Sequence, residues 1–154
     1  MMAEKFRMDV ALPDLAATAS LGARIAAVLK PGDVVALAGD LGAGKTTLAR
    51  AILRALGVAE SVPSPTFTLV QSYQTPRITL SHYDLYRLKQ ASEMNELGLD
   101  EALEDGAALV EWPEHAGPHL PPDALYVRLD GQNGARRAVL EGPDRWRVLE
   151  QAHV

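Results

Sequence analysis

Gly39-Asp40-Leu41-Gly42-Ala43-Gly44-Lys45-Thr46 is the stretch on which the fold of this chain turns. It spells G-x-x-x-x-G-K-S/T, the loop that wraps a nucleotide phosphate. Just upstream, Val34-Val35-Ala36-Leu37-Ala38 is an apolar run bounded by Pro31-Gly32-Asp33, and it predicts a buried strand. Just downstream, Thr46 to Leu56 is rich in Ala, Leu and Arg and places Leu48, Ile52 and Leu56 on one helical face before Gly57 stops it. Strand, glycine loop, helix is the context the motif requires. Without those flanks the same residues would read as a Gly-rich turn with an exposed lysine.

The residue types follow from the chemistry. Glycines at 39, 42 and 44 permit positive φ and let the main chain approach a phosphate with no Cβ in the way. The loop amides and the positive end of the following helix form an anion nest. Lys45 sets a point charge against the β- and γ-phosphates, and the Thr46 hydroxyl is placed to ligate Mg²⁺. Asp40 is the odd member, since an acid there repels phosphate unless its side chain turns away.

Composition bounds the rest. The 154 residues, 47% of them hydrophobic, suffice for one domain with a substantial core. No apolar stretch approaches the ~18 residues that span a bilayer, and Met1 to Arg7 has no signal-peptide h-region. Cysteine is absent, which removes disulfides, thiol redox chemistry and thiolate metal sites and points to a cytoplasmic location. A net charge of −5 argues against gripping nucleic acid directly, so any role near RNA would run through partners.

Outward from the loop, residues 7–12 predict a short first strand, and Pro13-Asp14 starts an amphipathic helix that runs to Lys30. After the loop helix, Pro63 and Pro65 stiffen an extended segment that delivers Thr66 to an alternating run ending at Tyr73. A turn at Gln74-Thr75-Pro76 leads to a second alternating run, Arg77 to Leu85, so an antiparallel hairpin is expected within a mixed sheet. His82, Asp84 and Tyr86 share a face of that second run. Asp84 could position Mg²⁺ or water, or it could pair with Arg87 or cap the following turn, while His82 reads first as a hydrogen-bonded structural histidine. Residues 91–105 read as short helices broken at Gly98 with an acidic outer surface. Ala107-Ala108-Leu109-Val110-Glu111 is a short buried run ending in an acid, the second element a phosphate-loop protein commonly needs, with Glu in place of the usual Asp. Trp112 could stack on a base or wall the site, but core packing is its first reading. Between His115 and His119, Gly117 and Pro118 break the helix that would align a metal pair. A second hairpin, 124–130 and 136–141, carries Arg136 and Arg137, one of which could reach a nucleotide, and Trp146 anchors the tail.

Four stretches carry a resemblance: 39–47, Ser64 to Val70, His82 to Leu88, and Glu111-Trp112-Pro113. In that order the chain resembles the TsaE (YjeE) family of small bacterial P-loop ATPases. The resemblance implies an α/β, P-loop NTPase-like three-layer sandwich whose mixed central sheet contains antiparallel hairpins. It implies ATP and Mg as cofactors, with Asp40, Leu41, Gly42, Ala43, Gly44, Lys45, Thr46, Thr47 and Arg137 on ATP and adenine contacts near Leu12 to Thr18. Lys45, Thr66, Asp84 and Glu111 would be catalytic, and Thr46, Glu111 and Asp84 would serve the metal. The implied role is in making threonylcarbamoyladenosine on tRNA, bound to a TsaB–TsaD complex, with tRNA met only through those partners and ATP hydrolysis resetting the machinery. A P-loop kinase for small molecules, or a nucleotide-loaded assembly module that scarcely hydrolyses, are the competing functions. No N-K-x-D motif reads guanine. The ATPase reading requires Thr46 and Glu111 to lie near enough to serve one ion.

Overall fold

Among the described residues, which are 5–40, 44–58, 69–131 and 136–151 of a computed structural model, seven strands join in one mixed sheet. In chain order the elements are β1 (Lys5–Leu12), α1 (Leu15–Val28), β2 (Val34–Ala38), α2 (Lys45–Ala55), β3 (Val70–Gln74), β4 (Thr79–Asp84), α3 (Leu99–Asp105), β5 (Gly106–Glu111), β6 (Leu125–Asp130) and β7 (Arg136–Pro143). Short 3-10 turns at Ala91–Glu96, Pro113–His115, Gly117–His119 and Asp144–Glu150 complete them. Strand order is β1-β7-β6-β2-β5-β4-β3. The centre, β6-β2-β5-β4, is parallel, while β3 and the β7–β1 pair close the two edges antiparallel.

The apolar run of β2 is explained by its place. Val35 and Leu37 face Ile25, Leu48 and Ile52 of the α1–α2 layer, whereas Val34 and Ala36 face Met94, Leu99 and their neighbours on the other side. A strand buried on both faces has no polar alternation to show. Three layers result, helices on each face of a sheet. Both expected hairpins form: β3 with β4 in register Gln74↔Thr79, and β6 with β7 in register Asp130↔Arg137. The first begins at Val70; the proposed strand start at Thr66 lies outside the described residues, as do Leu41, Gly42 and Ala43 of the loop.

Local chemistry fixes the helices around the loop. The Asp14 side chain caps α1 by accepting from Ala17 N at 2.9 Å. At the other end α1 carries no basic residue of its own, and Arg77 from the β3–β4 turn donates to the carbonyls of Ala26 and Leu29 instead. Helices α1 and α2 approach closely at Gly22, where an added Cβ would stand 2.6 Å from that of Ala51. Asp33, buried in the turn into β2, is satisfied by Lys30 N and by Arg145, each at 2.8 Å. The tail is anchored as expected: Trp146 is buried and its Nε1 donates to the Asp123 carbonyl at 2.8 Å.

Candidate functional site

The site begins where β2 ends and α2 starts. Gly39 and Gly44 both take positive φ, 140° and 106°, the backbone region that favours glycine. Gly44 is the N-cap of α2, and among the described residues no side chain caps the helix. The amides of a helix's first turn are suited to an anion. Lys45 is buried, and its ammonium donates to the Gly39 carbonyl and, at 3.1 Å, to the Asp40 carbonyl. It also stands 3.6 Å from the centroid of the Trp112 ring, a cation–π contact. Burial pushes the Lys45 pKa below its ordinary value, against the opposing pull of Glu111, Glu114, Asp84 and Asp40. Asp40 itself is exposed and meets the lysine through its main-chain oxygen, which resolves the oddity of an acid in this loop.

Parallel pairing of β2 with β5 puts Glu111 opposite Leu37, beside the start of the loop. There the Thr46 hydroxyl donates to Glu111 Oε1 at 3.0 Å. Helix hydroxyl and strand acid, which had to be near enough for one ion, are in direct contact. Glu111 is buried, and its second oxygen lies 2.6 Å from Nε2 of His82, a fully buried side chain. One strand further, Asp84 is paired in register with Glu111, and its Oδ1 accepts from Tyr86 N at 3.1 Å. The turn-capping alternative for Asp84 is thus realised, on the rim of the same site. Among the described residues no three His, Asp or Glu side chains converge on a ready-made metal cage. The Thr46 hydroxyl and Glu111 carboxylate are oxygen donors, the type that suits Mg²⁺, which is commonly held by one or two protein groups together with substrate phosphates.

Trp112 leaves the sheet with φ 60°, the one non-glycine residue of positive φ among those described. Such a left-handed turn costs about 1–2 kcal/mol. It folds the chain back so that the indole meets Lys45 on one side, with Tyr86 at 5.1 Å and His115 at 5.9 Å between ring centroids. His115 is itself held by a 2.7 Å bond between Nδ1 and the Leu85 carbonyl. Trp112 therefore walls the site.

The arginine question has a geometric answer. A Cβ built on Gly44 would lie 3.6 Å from Nη1 of Arg136, so this guanidinium overhangs the loop. Arg137, the residue named for ATP, does not join it. Successive strand residues point to opposite faces, and Arg137 sits on the far face, mostly exposed, 3.7 Å from Asp9. Thr47 lies on the α1-facing side of α2, in the wall of a groove of about 520 Å³ that also includes Leu15, Thr18, Arg50 and Arg54. Another groove of about 540 Å³ runs over Tyr126, Arg128 and Val139, and no described residue from 39 to 46 lines it. Thr66, Leu41, Gly42 and Ala43 fall outside the described residues.

Fold and site define a P-loop α/β protein. The model of the family described as "Threonylcarbamoyl adenosine biosynthesis protein TsaE" matches residues 12–139, and the chain belongs to the TsaE family. Three proteins named tRNA threonylcarbamoyladenosine biosynthesis protein TsaE are among its relatives. That of Rickettsia conorii is 44% identical over 121 residues, covering 78% of this chain and 69% of the relative. That of Bacillus subtilis is 42% identical over 111 residues, 71% of this chain and 69% of its own. The Nostoc protein is 41% identical over 133 residues, 82% and 81%. Among solved structures, Bacillus subtilis YdiB superposes with a TM-score of 0.77 at 30% identity, over 98% of this chain and 95% of that one.

Proposed function

We propose that this chain binds ATP with Mg²⁺ at the Gly39–Thr46 loop and hydrolyses it in the service of threonylcarbamoyladenosine synthesis on tRNA, docked on a TsaB–TsaD complex. The observation that carries the reading is the 3.0 Å contact between Thr46 and Glu111 beside an uncapped helix start. Thr46 and Glu111, with Asp84 in register beside them, are the residues that would hold Mg²⁺, which when bound neutralises charge on the β- and γ-phosphate oxygens. Lys45 exchanges two loop carbonyls for phosphate oxygens, a stronger charge-assisted bond. The amides at the start of α2 and the Arg136 guanidinium add positive potential where charge builds as water attacks the γ-phosphate. Both oxygens of Glu111 are already engaged, which fits a slow intrinsic rate raised by partners. The groove between α1 and α2, with Thr18 and Thr47 in its wall, is the site we assign to the adenine. Thr66 enters only through the family resemblance.

Phosphate release, measured on the full chain alone and with TsaB–TsaD, tests the function. The expected result is slow turnover alone and a rise of about tenfold or more with the complex. Turnover on the order of 10 per second or faster by the isolated chain, with no gain from partners, would overturn the reset role. Within the site, Arg136→Ala is expected to weaken ATP affinity about tenfold or more, the loss of a charge-assisted bond, and Arg137→Ala to change it less than about twofold. Titration of a fluorescent ATP analogue checks both, and equal effects would contradict the face assignment.

No helix among the described residues is long and apolar enough to cross a membrane. We infer a cytoplasmic location from the proposed role in tRNA modification and the cysteine-free composition.

A further inference from the structure

His82 is completely buried in β4, on the face that Leu80 and Leu109 share with the α1–α2 layer. The surroundings of that place are apolar, yet the chain buries an imidazole there. Among the described residues its Nδ1 has no hydrogen-bond partner, and its Nε2 lies 2.6 Å from Oε2 of Glu111. A buried polar atom left unpaired costs about 1–3 kcal/mol. Among the described residues, the ring's one polar partner is Glu111. The pairing is set by the sheet: in the parallel register His82 is opposite Leu109 and Asp84 opposite Glu111, so the imidazole reaches one pleat forward along the same face. A proton on Nε2 with a bare Nδ1 is the tautomer that satisfies the carboxylate and leaves no buried N–H stranded.

The geometry points to His82 as the positioning residue for Glu111: its Nε2–H pins one carboxylate oxygen so that the other stays turned to Thr46 and the phosphates. This rests on the reading that Glu111 serves the metal of a bound nucleotide. A glutamate has three side-chain torsions, and burial alone does not choose among the rotamers that fit. The histidine bond holds Oε2, so Oε1 meets Thr46 at 3.0 Å without having to be ordered when nucleotide arrives. Partners that orient a ligating carboxylate are worth about 10- to 100-fold in metal affinity.

The test uses the full chain and three forms: wild type, His82→Leu, which removes the donor, and His82→Gln, whose amide keeps one near Nε2. Affinity for a fluorescent ATP analogue is measured across a Mg²⁺ titration and again in EDTA, with melting temperature recorded alongside. The ratio of the Mg²⁺ affinity to the EDTA affinity is expected to fall about tenfold or more in His82→Leu and by less than about threefold in His82→Gln. A His82→Leu ratio equal to wild type, whatever its melting temperature, makes His82 a packing residue and overturns the inference. If His82→Leu does not fold, the decision passes to His82→Gln and to the imidazole ¹⁵N shifts of the wild type. A protonated Nε2 with a bare Nδ1 supports the inference, and the opposite tautomer defeats it. A wild-type chain that gains nothing from Mg²⁺ instead brings down the metal reading of the site itself, an outcome distinct from a failure at His82.

Discussion

Lys45→Ala is expected to abolish ATP binding while leaving the fold intact or slightly firmer. The two effects have separate causes. Toward ATP, the ammonium is, on the proposed reading, the charge that meets the β- and γ-phosphates. Truncating one partner of a desolvated, hydrogen-bonded charge pair costs about 2–5 kcal/mol, which means affinity falls about 30-fold at the least. Toward the fold, the same ammonium is a liability in the nucleotide-free chain. It is buried, its pKa is lowered by desolvation, and its partners are neutral carbonyls and an indole face. The surrounding acids, Glu111 first, offset part of that burden. Removing the lysine sheds a desolvated charge together with its modest bonds, so the melting temperature should hold or rise. Titration with a fluorescent ATP analogue and a thermal melt check the two halves. A variant that binds ATP within about threefold of wild type would show that the loop does not hold the triphosphate. One that unfolds would show Lys45 to be structural.

What could be read from the sequence, and what could not, follows from how local each signal is. The loop, its strand and its helix were legible because glycine placement, a two-sided apolar run and a Gly stop are all written in consecutive residues. Both hairpins were legible for the same reason. The pairing of Arg136 with the loop was not. Ala138, Val139 and Leu140 are all buried, so β7 shows no alternation in its middle to say which parity faces the helices. The one usable hint was Glu141, which shares its parity with Arg137 and marks that face as the solvent side. His82 was placed correctly on the face of Asp84, but its partner depends on the parallel register with β5, a contact 29 residues away along the chain. Trp112 was harder still. Nothing in a tryptophan announces a left-handed turn, nor that its ring would meet the Lys45 ammonium. Glu114 drew no notice in the sequence, yet its charge acts on Lys45 second only to that of Glu111 among the acids.

Glu111→Gln is the second large effect expected, and it separates chemistry from binding. Glutamine has the size and shape of the acid, so the buried position stays filled. Its amide has one acceptor where the carboxylate has two. With the carbonyl turned to His82, the NH₂ faces Thr46, whose hydroxyl can rotate to accept it. The fold therefore survives, and what is lost is a negative charge beside the Thr46 hydroxyl. If the proposed mechanism holds, charge stabilisation at the metal is worth several kcal/mol, so hydrolysis with the proposed partners should fall about 100-fold or more. Affinity for the nucleotide should suffer far less, because the loop amides, Lys45 and Arg136 remain. Single-turnover hydrolysis with TsaB–TsaD at saturating ATP, set against binding measured in the same buffer, gives both quantities. Equal losses in the two would mean that Glu111 supports the loop's shape and not the reaction. Hydrolysis within about threefold of wild type would move the metal-side acid elsewhere. Asp84, in register with Glu111 on the neighbouring strand, is then the group to replace next.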